Sequence, residues 1–168
     1  MAIWYEVEKS EAGIRTFLDW NEGFHDFRPE RVEYVPGKDM VEIFLNYDTG
    51  KEGVLLRFSR IHGIHINTKR DYEAEWIFGS AALLLEDSKI IWLDEDVWGE
   101  ENRAHLDELK QYTTWVEAER IFWAVTDADG TPVERLENRT RPGWAAEEPC
   151  FDLKEFTGDW DKILIPYA

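Results

Sequence analysis

Cysteine is almost missing from this sequence: Cys150 is the only one in 168 residues, so no disulfide can form within the chain. No charged and then apolar leader precedes Ile3, and no apolar run approaches the roughly 20 residues that a helix needs to span a bilayer. These absences predict a cytoplasmic protein that does not enter a membrane. Cys150 has no neighbouring base in the sequence, and we expect it to be a small core or surface residue.

Basic residues are also scarce, because 19 Lys and Arg stand against 36 Asp and Glu, which leaves a net charge of −17. Residues 85–168 hold 21 acids and 9 bases, whereas residues 1–84 hold 15 acids and 10 bases. Phosphate binding needs clusters of Lys and Arg, so nucleic acid is not an expected partner. The acidity favours a basic protein partner, and the alternative is that it only keeps the protein soluble.

Motifs of the common enzyme classes are missing as well. The sequence has no Gly-x-Ser-x-Gly elbow, phosphate loop, dinucleotide fingerprint or His-Glu-x-x-His helix. The run that starts at Asp94 resembles a calcium loop with Gly99 at its sixth position, but Trp98 and His105 stand where oxygen ligands are required. We therefore predict a non-enzymatic protein with no catalytic residues and no cofactor.

The sequence does contain many aromatic residues and one clear alternating pattern. Nine Trp, nine Phe and six Tyr are enough to build a core without a disulfide or a metal. From Met40 to Tyr47 the odd positions are apolar or aromatic and the even ones include Glu42 and Asn46; after a polar turn the alternation resumes at residues 54–58. This pattern predicts an antiparallel hairpin with one buried face and with Arg57 on the solvent side.

Similar patterns predict the other elements. We expect an opening strand at residues 2–8, a helix at residues 11–20 with Ser10 as its N-cap, and a strand after Phe24 that is bulged or lies at an edge near Pro29. A separate short strand is expected at residues 62–67 and a hairpin of central strands around residues 86–89. A short helix near Leu109 and a strand from Trp115 should follow, with an Asp-Gly turn at residues 127–130 and a docked tail after residue 151.

Together these elements predict a single domain, residues 1–168, of the α+β class. It should be dominated by antiparallel β-structure, as one sheet, a sandwich or a half-barrel, with two short helices.

Acidic residues in the second half of the chain surround one tryptophan. We predict that they form an exposed patch that binds a basic protein, with the aromatic side chain at its centre. The predicted partner-binding residues are Glu86, Asp87, Asp94, Glu95, Asp96, Trp98, Glu100 and Glu101.

Two alternatives remain open at this stage. Neutral imidazoles and a carboxylate suit zinc or iron, so His25, Asp26, His62 and His65 define a possible metal-dependent enzyme, provided that Gly63 bends the strand between the last two histidines. Tryptophans beside acidic residues or glycine can also stack on sugars, which would make the protein a carbohydrate-binding sheet. The tryptophans in such positions are Trp4, Trp98, Trp115, Trp144 and Trp160.

The run Phe24-His25-Asp26 is followed by Arg-x-x-x-Val-Glu-Tyr from Arg28, a hairpin, and the strand Val-Leu-Leu-Arg-Phe from Val54. This pattern, which covers residues 24–66, resembles small bacterial families that are uncharacterised or are immunity proteins of polymorphic toxin systems. The resemblance implies a cytoplasmic, mainly β protein that binds and neutralises a partner, and the acidity would suit a basic toxin such as a nuclease.

Overall fold

The computed structural model describes residues 2–47, 51–67, 79–95, 104–133 and 153–163. Their strands are β1 (Tyr5–Glu6), β2 (Phe27–Val35), β3 (Met40–Tyr47), β4 (Glu52–His65), β5 (Ala81–Leu84), β6 (Ile90–Leu93) and β7 (Trp115–Asp127). Their α-helices are α1 (Glu11–Trp20), α2 (Leu106–Leu109) and α3 (Trp160–Ile163), and short 3-10 helices cover Glu22–Phe24 and Pro36–Lys38. The predicted α+β class is confirmed.

All seven strands form one antiparallel sheet in the order β2-β3-β4-β7-β6-β5. The long strand β7 lies at its centre and pairs with β4 along one edge; along its other edge it pairs first with β6 and then with β1. Within the described residues the outer strands β2 and β5 do not pair with each other, so the sheet is open. Strand β5 therefore lies at an edge of this sheet, which corrects the prediction that it is central.

The hairpin of β3 and β4 has the predicted register, with Val41 opposite Phe58 and Ile43 opposite Leu56. These side chains are buried together on one face of the sheet. The register is fixed because a slip of one residue would put polar side chains on that face instead. Strand β2 shows the predicted irregularity, a register shift after Pro29, and it forms an edge of the sheet. The turn residues 48–50 of the hairpin lie outside the described residues.

Helix α1 covers this first face. It begins where predicted, because the Ser10 hydroxyl accepts a hydrogen bond from the Gly13 amide at 2.9 Å. Its apolar positions Phe17 and Trp20 pack against the Trp123 ring of β7, with ring centroids 6.2 and 4.7 Å apart. The helix thus buries the stripe that its 3.6-residue period predicts.

The second face of the sheet is covered as well, which corrects the prediction that it is exposed to solvent. The side chain of Arg57 is 17% exposed and Ser59 is 1% exposed. The segment 153–163 lies on this face: the Phe156 amide donates to the Trp4 carbonyl at 2.8 Å, and the Trp160 ring packs 4.8 Å from that of Phe122. The docked tail is therefore confirmed for these residues.

Three other predictions change in detail. The strand predicted at residues 62–67 is the continuation of β4 as far as His65, and the opening strand is only the two residues of β1. At the predicted Asp-Gly turn the Asp127 carboxylate accepts from the amides of Asp129 and Thr131, but the described part of the return strand is one bridge between Thr126 and Pro132. In the part of the chain that is described, no helix combines the length and the apolar character needed to cross a bilayer.

Candidate functional site

Strand β4 extends beyond its neighbour β3 at one end of the sheet. Pairing between the two strands ends where Met40 faces Ser59, whereas β4 runs on to His65 beside β7. Asp39 closes the shared ladder, because its carbonyl accepts from the Arg60 amide at 3.2 Å and its carboxylate accepts from the Ile61 amide at 3.1 Å. From Ile61 to His65, no strand of the described residues therefore pairs with the edge of β4 that faces away from β7.

The same part of β4 contains a β-bulge. Ile61 faces Ala118 and Gly63 faces Glu117, so His62 is an extra residue without a partner position on β7. Gly63 is required here because a Cβ atom would lie 2.9 Å from a carbon of the Trp115 ring. The backbone therefore changes direction at His62, just where β4 leaves the cover of β3.

Beyond the bulge two isoleucines reach the surface. Ile64 is 37% exposed and Ile66 is 41% exposed, and because they are two residues apart on extended chain they share a face. Asn67 holds this end in place: its amide donates to the Thr114 hydroxyl at 3.0 Å and its side chain donates to the Tyr112 carbonyl at 2.5 Å. Tyr112, next to them, is itself 52% exposed. The result is an apolar surface at a strand end that is tied to Thr114 and Tyr112 by hydrogen bonds.

The acidic end of the sheet is our name for residues 60–67, 79–95 and 104–119, which comprise the end of β4, the β5–β6 hairpin, α2 and the first residues of β7. They hold eight acidic and three basic side chains, a net charge of −5 with histidine neutral, within about a third of the described residues. The other two thirds hold 16 acidic and 10 basic side chains, a net charge of −6. Net negative charge is therefore about 1.6 times as dense at the end that carries the exposed isoleucines.

Each of the three bases at the acidic end is already engaged with a carboxylate. Lys89 Nζ lies 2.6 Å from Asp87 Oδ2, and this hydrogen bond raises the pKa of the lysine and lowers that of the aspartate. Lys110 Nζ lies 3.6 Å from Glu117 Oε2 and 4.2 Å from the centroid of the Trp115 ring. Arg60 Nε lies 3.7 Å from Glu119 Oε2. The surplus charge consequently belongs to the carboxylates.

The predicted partner-binding residues are placed as follows. Glu86 and Asp87 are exposed in the β5–β6 turn, and Glu95 is exposed just after β6. Asp94 is only 2% exposed, and its carboxylate accepts from the Thr114 amide at 2.9 Å, so it links the end of β6 to the start of β7. The other predicted residues, Asp96, Trp98, Glu100 and Glu101, lie outside the described residues.

The residues of the metal hypothesis have separate partners. His25 Nδ1 lies 2.9 Å from Asp26 Oδ2 on an exposed turn, His62 Nε2 lies 3.1 Å from Glu119 Oε1, and His65 Nδ1 lies 2.7 Å from the Thr113 carbonyl. Among the described residues, no three His, Cys, Asp or Glu side chains come together as a group that could hold a metal ion. The predicted bend near Gly63 exists, but each histidine beside it turns to a different acceptor.

The tryptophans of the sugar-binding hypothesis are covered where the structure describes them. Trp4 is buried, its ring packs edge to face on that of Trp160, and the Arg57 guanidinium contacts both rings. Trp115 is covered on one face by Lys110, and its indole donates to the Lys110 carbonyl at 2.9 Å. Trp98 and Trp144 lie outside the described residues.

Ile64, Ile66 and Tyr112 were not part of the predicted surface. The alternation at residues 64–66 shows in the sequence that the two isoleucines share a face, but it is the same alternation that buried strands display. Their exposure depends on where β3 ends, and the only local signal for that is the turn-forming run Pro36-Gly37-Lys38-Asp39.

Fold and site together define an α+β protein with one open antiparallel sheet whose acidic end carries exposed apolar side chains. Comparisons with models of protein families, with curated proteins and with solved structures found no match.

Proposed function

We propose that this protein is a non-enzymatic module that binds a basic protein through the acidic end of its sheet. Ile64 and Ile66 form the apolar centre of the contact, and the carboxylates around them form its rim. A toxin such as a nuclease has the required chemistry, because a surface that binds phosphate is basic. The module would then act as an immunity protein that neutralises the toxin.

The exposure of Ile64 and Ile66 is the observation that carries this proposal. Protein interfaces combine a few apolar or aromatic anchors with a polar rim that remains accessible to water. Here the anchors are held rigidly, since Asn67 ties the strand end to Tyr112 and Thr114. A rigid anchor loses little conformational entropy on binding, which favours affinity.

The distribution of charge supports a basic partner over solubility alone. Acidity that serves only solubility can be spread evenly over the surface, whereas here the acidic end has about 1.6 times the density of net charge found elsewhere in the described residues. A concentrated field steers an oppositely charged protein into contact and repels acidic competitors. Exposed Glu95 and Asp107 stand in the part of the surface where that field acts.

The test is affinity capture on the immobilised full chain from a lysate of the source organism at low salt, with mass spectrometry of the bound proteins. The native chain should retain basic proteins that salt releases. The double variant Ile64→Ser with Ile66→Ser should lose at least ten-fold in affinity for the captured protein. Tyr34→Ser, which changes a more exposed side chain on the edge strand β2, outside the acidic end, should bind as the native chain does.

A second pair of variants separates charge from apolar contact. Glu95→Lys with Asp107→Lys should slow association strongly at low salt and much less at high salt, because exposed charges act within about 10 Å at 0.1 M salt. Glu155→Lys with Asp161→Lys makes the same change in net charge on the exposed C-terminal segment and should have little effect. Capture that is indifferent to the isoleucines, or that favours acidic proteins, contradicts the proposal.

A further inference from the structure

The open edge of β4 between Ile61 and His65 suggests how a partner is bound. In an antiparallel sheet every second residue of a strand directs its amide and carbonyl to one neighbour, so the side of this segment away from β7 presents hydrogen-bonding groups with no described strand to receive them. Sheet edges of this kind accept an added strand from another chain.

We propose that the basic partner binds by adding an extended segment to this edge, in line with β3 and next to Asp39. This inference rests on the proposed function and deepens it, because it states the form of the partner's binding segment. The Ile61 amide is already bonded to the Asp39 carboxylate and His62 is the bulge, so the regular part of this edge runs from Gly63 to His65, about 10 Å at 3.3 Å per residue, which suits a short strand.

The side chains beside the edge define the sequence that would fit. Ile64 and Ile66 lie on one face of the sheet, so they would contact apolar residues at alternate positions of the added strand. On β4 itself, the side chains of Arg60 and His62 both contact the Glu119 carboxylate. The charge that an added strand would meet is therefore the net negative charge of the acidic end as a whole. Lysine or arginine at the remaining positions of the added strand is therefore favoured. The segment should alternate between basic and apolar residues.

Charge also decides between the possible occupants of the edge. A second copy of this chain could pair β4 with β4, but that arrangement would bring two ends of net charge −5 together. Like charges that face each other across strands destabilise pairing. A basic segment from another protein gains from the same field.

The edge strand β2 is less suited to an added strand. Strand β2 has a bulge at Pro29, a residue without an amide donor, and it carries charged side chains at Arg28, Glu30 and Arg31. Such features block edge-to-edge pairing. The end of β4 has its own bulge at His62, but it continues with Gly63, Ile64 and His65 in regular register with β7.

The test uses a synthetic seven-residue peptide of alternating lysine and valine with blocked ends, and three measurements on the full native chain. Fluorescence titration should show that this peptide binds at least ten-fold more tightly than the same peptide with N-methylated alternate amides, which cannot complete the ladder. A glutamate and valine peptide should not bind. Hydrogen exchange should slow at residues 61–65 when the lysine peptide is added, and should remain unchanged in β2.

Several outcomes would overturn strand addition. Equal binding of the N-methylated peptide would show attraction by charge alone, and absence of binding by the lysine peptide would show that the edge does not accept a strand. Slow exchange on this edge in the free monomer would mean that the chain's own residues cover it. If the free protein sediments as a dimer and exchange on this edge is slow, a second copy of the chain covers the edge.

The two proposals fail separately. If capture of basic proteins depends on Ile64 and Ile66 but backbone methylation of the peptide has no effect, the binding function stands and strand addition falls. If the Ile64→Ser and Ile66→Ser chain captures basic proteins as well as the native chain, the proposed function falls, whatever the peptide does.

Discussion

The guanidinium carbon of Arg57 lies 4.2 Å from the centroid of the Trp4 ring. It also lies 4.4 Å from the centroid of the Trp160 ring, and the two indoles pack edge to face with their centroids 5.2 Å apart, so the guanidinium contacts two rings that also contact each other. Burial lowers the pKa of Arg57, and Glu42, 3.5 Å away, opposes that effect. The Nε atom is buried and has no hydrogen-bond partner among the described residues. This arrangement joins the middle of the sheet to the C-terminal segment.

Replacing Glu42 should destabilise the protein more than replacing Arg57. Glu42→Gln removes the counter-charge and leaves a largely buried cation, so we expect a loss of about 1 to 3 kcal/mol in the free energy of unfolding. Arg57→Met keeps a long apolar chain against the two indoles and should cost less, about 1 kcal/mol. Urea unfolding of both variants measures this. A larger loss for Arg57→Met would show that the cation stabilises the fold more than its burial costs.

The C-terminal segment should depend on Trp160 for its attachment. Trp160→Ala removes ring contacts with Phe122 and Phe156, so we expect the free energy of unfolding to fall by about 2 to 3 kcal/mol. This is at or below the low end for truncation of a tryptophan to alanine, because the Trp160 ring is only half-buried. Trp160→Phe keeps an aromatic ring and should lose less. Limited proteolysis should then cut the alanine variant within residues 153–163 under conditions in which the native chain is not cut there. Equal resistance would contradict this role.

Glu30 should make stability depend on pH. The hydrogen bond from Asn46 Nδ2 lowers the pKa of Glu30, with a further contribution from Arg28. A carboxyl whose pKa is lower in the folded state stabilises the protein above its unfolded pKa, and this contribution disappears as the pH falls through the folded value. Because Glu30 is about one-third exposed, Glu30→Gln should cost only a few tenths of a kcal/mol at neutral pH.

The control is to compare the same two proteins at about pH 3, which is below the ordinary pKa of a glutamate side chain. There the difference in unfolding free energy between native and Glu30→Gln chains should shrink towards zero. A difference that grows on acidification would mean that the pKa of Glu30 is raised on folding instead.

Gly53 should tolerate no side chain. A Cβ atom there would meet the Leu45 carbonyl and lie 2.7 Å from the Phe44 ring, so Gly53→Ala must push β3 and β4 apart. Overpacking of this kind costs about 1 to 3 kcal/mol. Gly37→Ala is the matched control, because a Cβ at Gly37 would have no atom of the described residues within 4 Å. The midpoint temperature of thermal unfolding should be clearly lower for Gly53→Ala than for Gly37→Ala.

Much of the fold follows from local patterns in the sequence. The hairpin of β3 and β4 is predictable because alternation at residues 40–58 admits only one register. Helix α1 is predictable because Ser10 caps it and its apolar residues recur at helical spacing. The edge position of β2 follows from Pro29, which cannot donate to a neighbour.

The candidate site could be predicted only in part. Exposed acidic residues at Glu86, Asp87 and Glu95 follow from composition, but the burial of Asp94 does not, because its partner is the Thr114 amide on another part of the chain. The exposure of Ile64 was likewise hidden, since an isoleucine in an alternating run usually faces a core.

By itself, the sequence determined the antiparallel hairpins, the capped helix and the negative charge, because these depend on neighbouring residues and on composition. Only the tertiary structure decided which surfaces meet water: it covered Arg57 with Trp160 and left Ile64 open where β3 ends beside Asp39. The physical reason is that alternation shows which side chains share a face, whereas burial depends on which distant segment packs against that face.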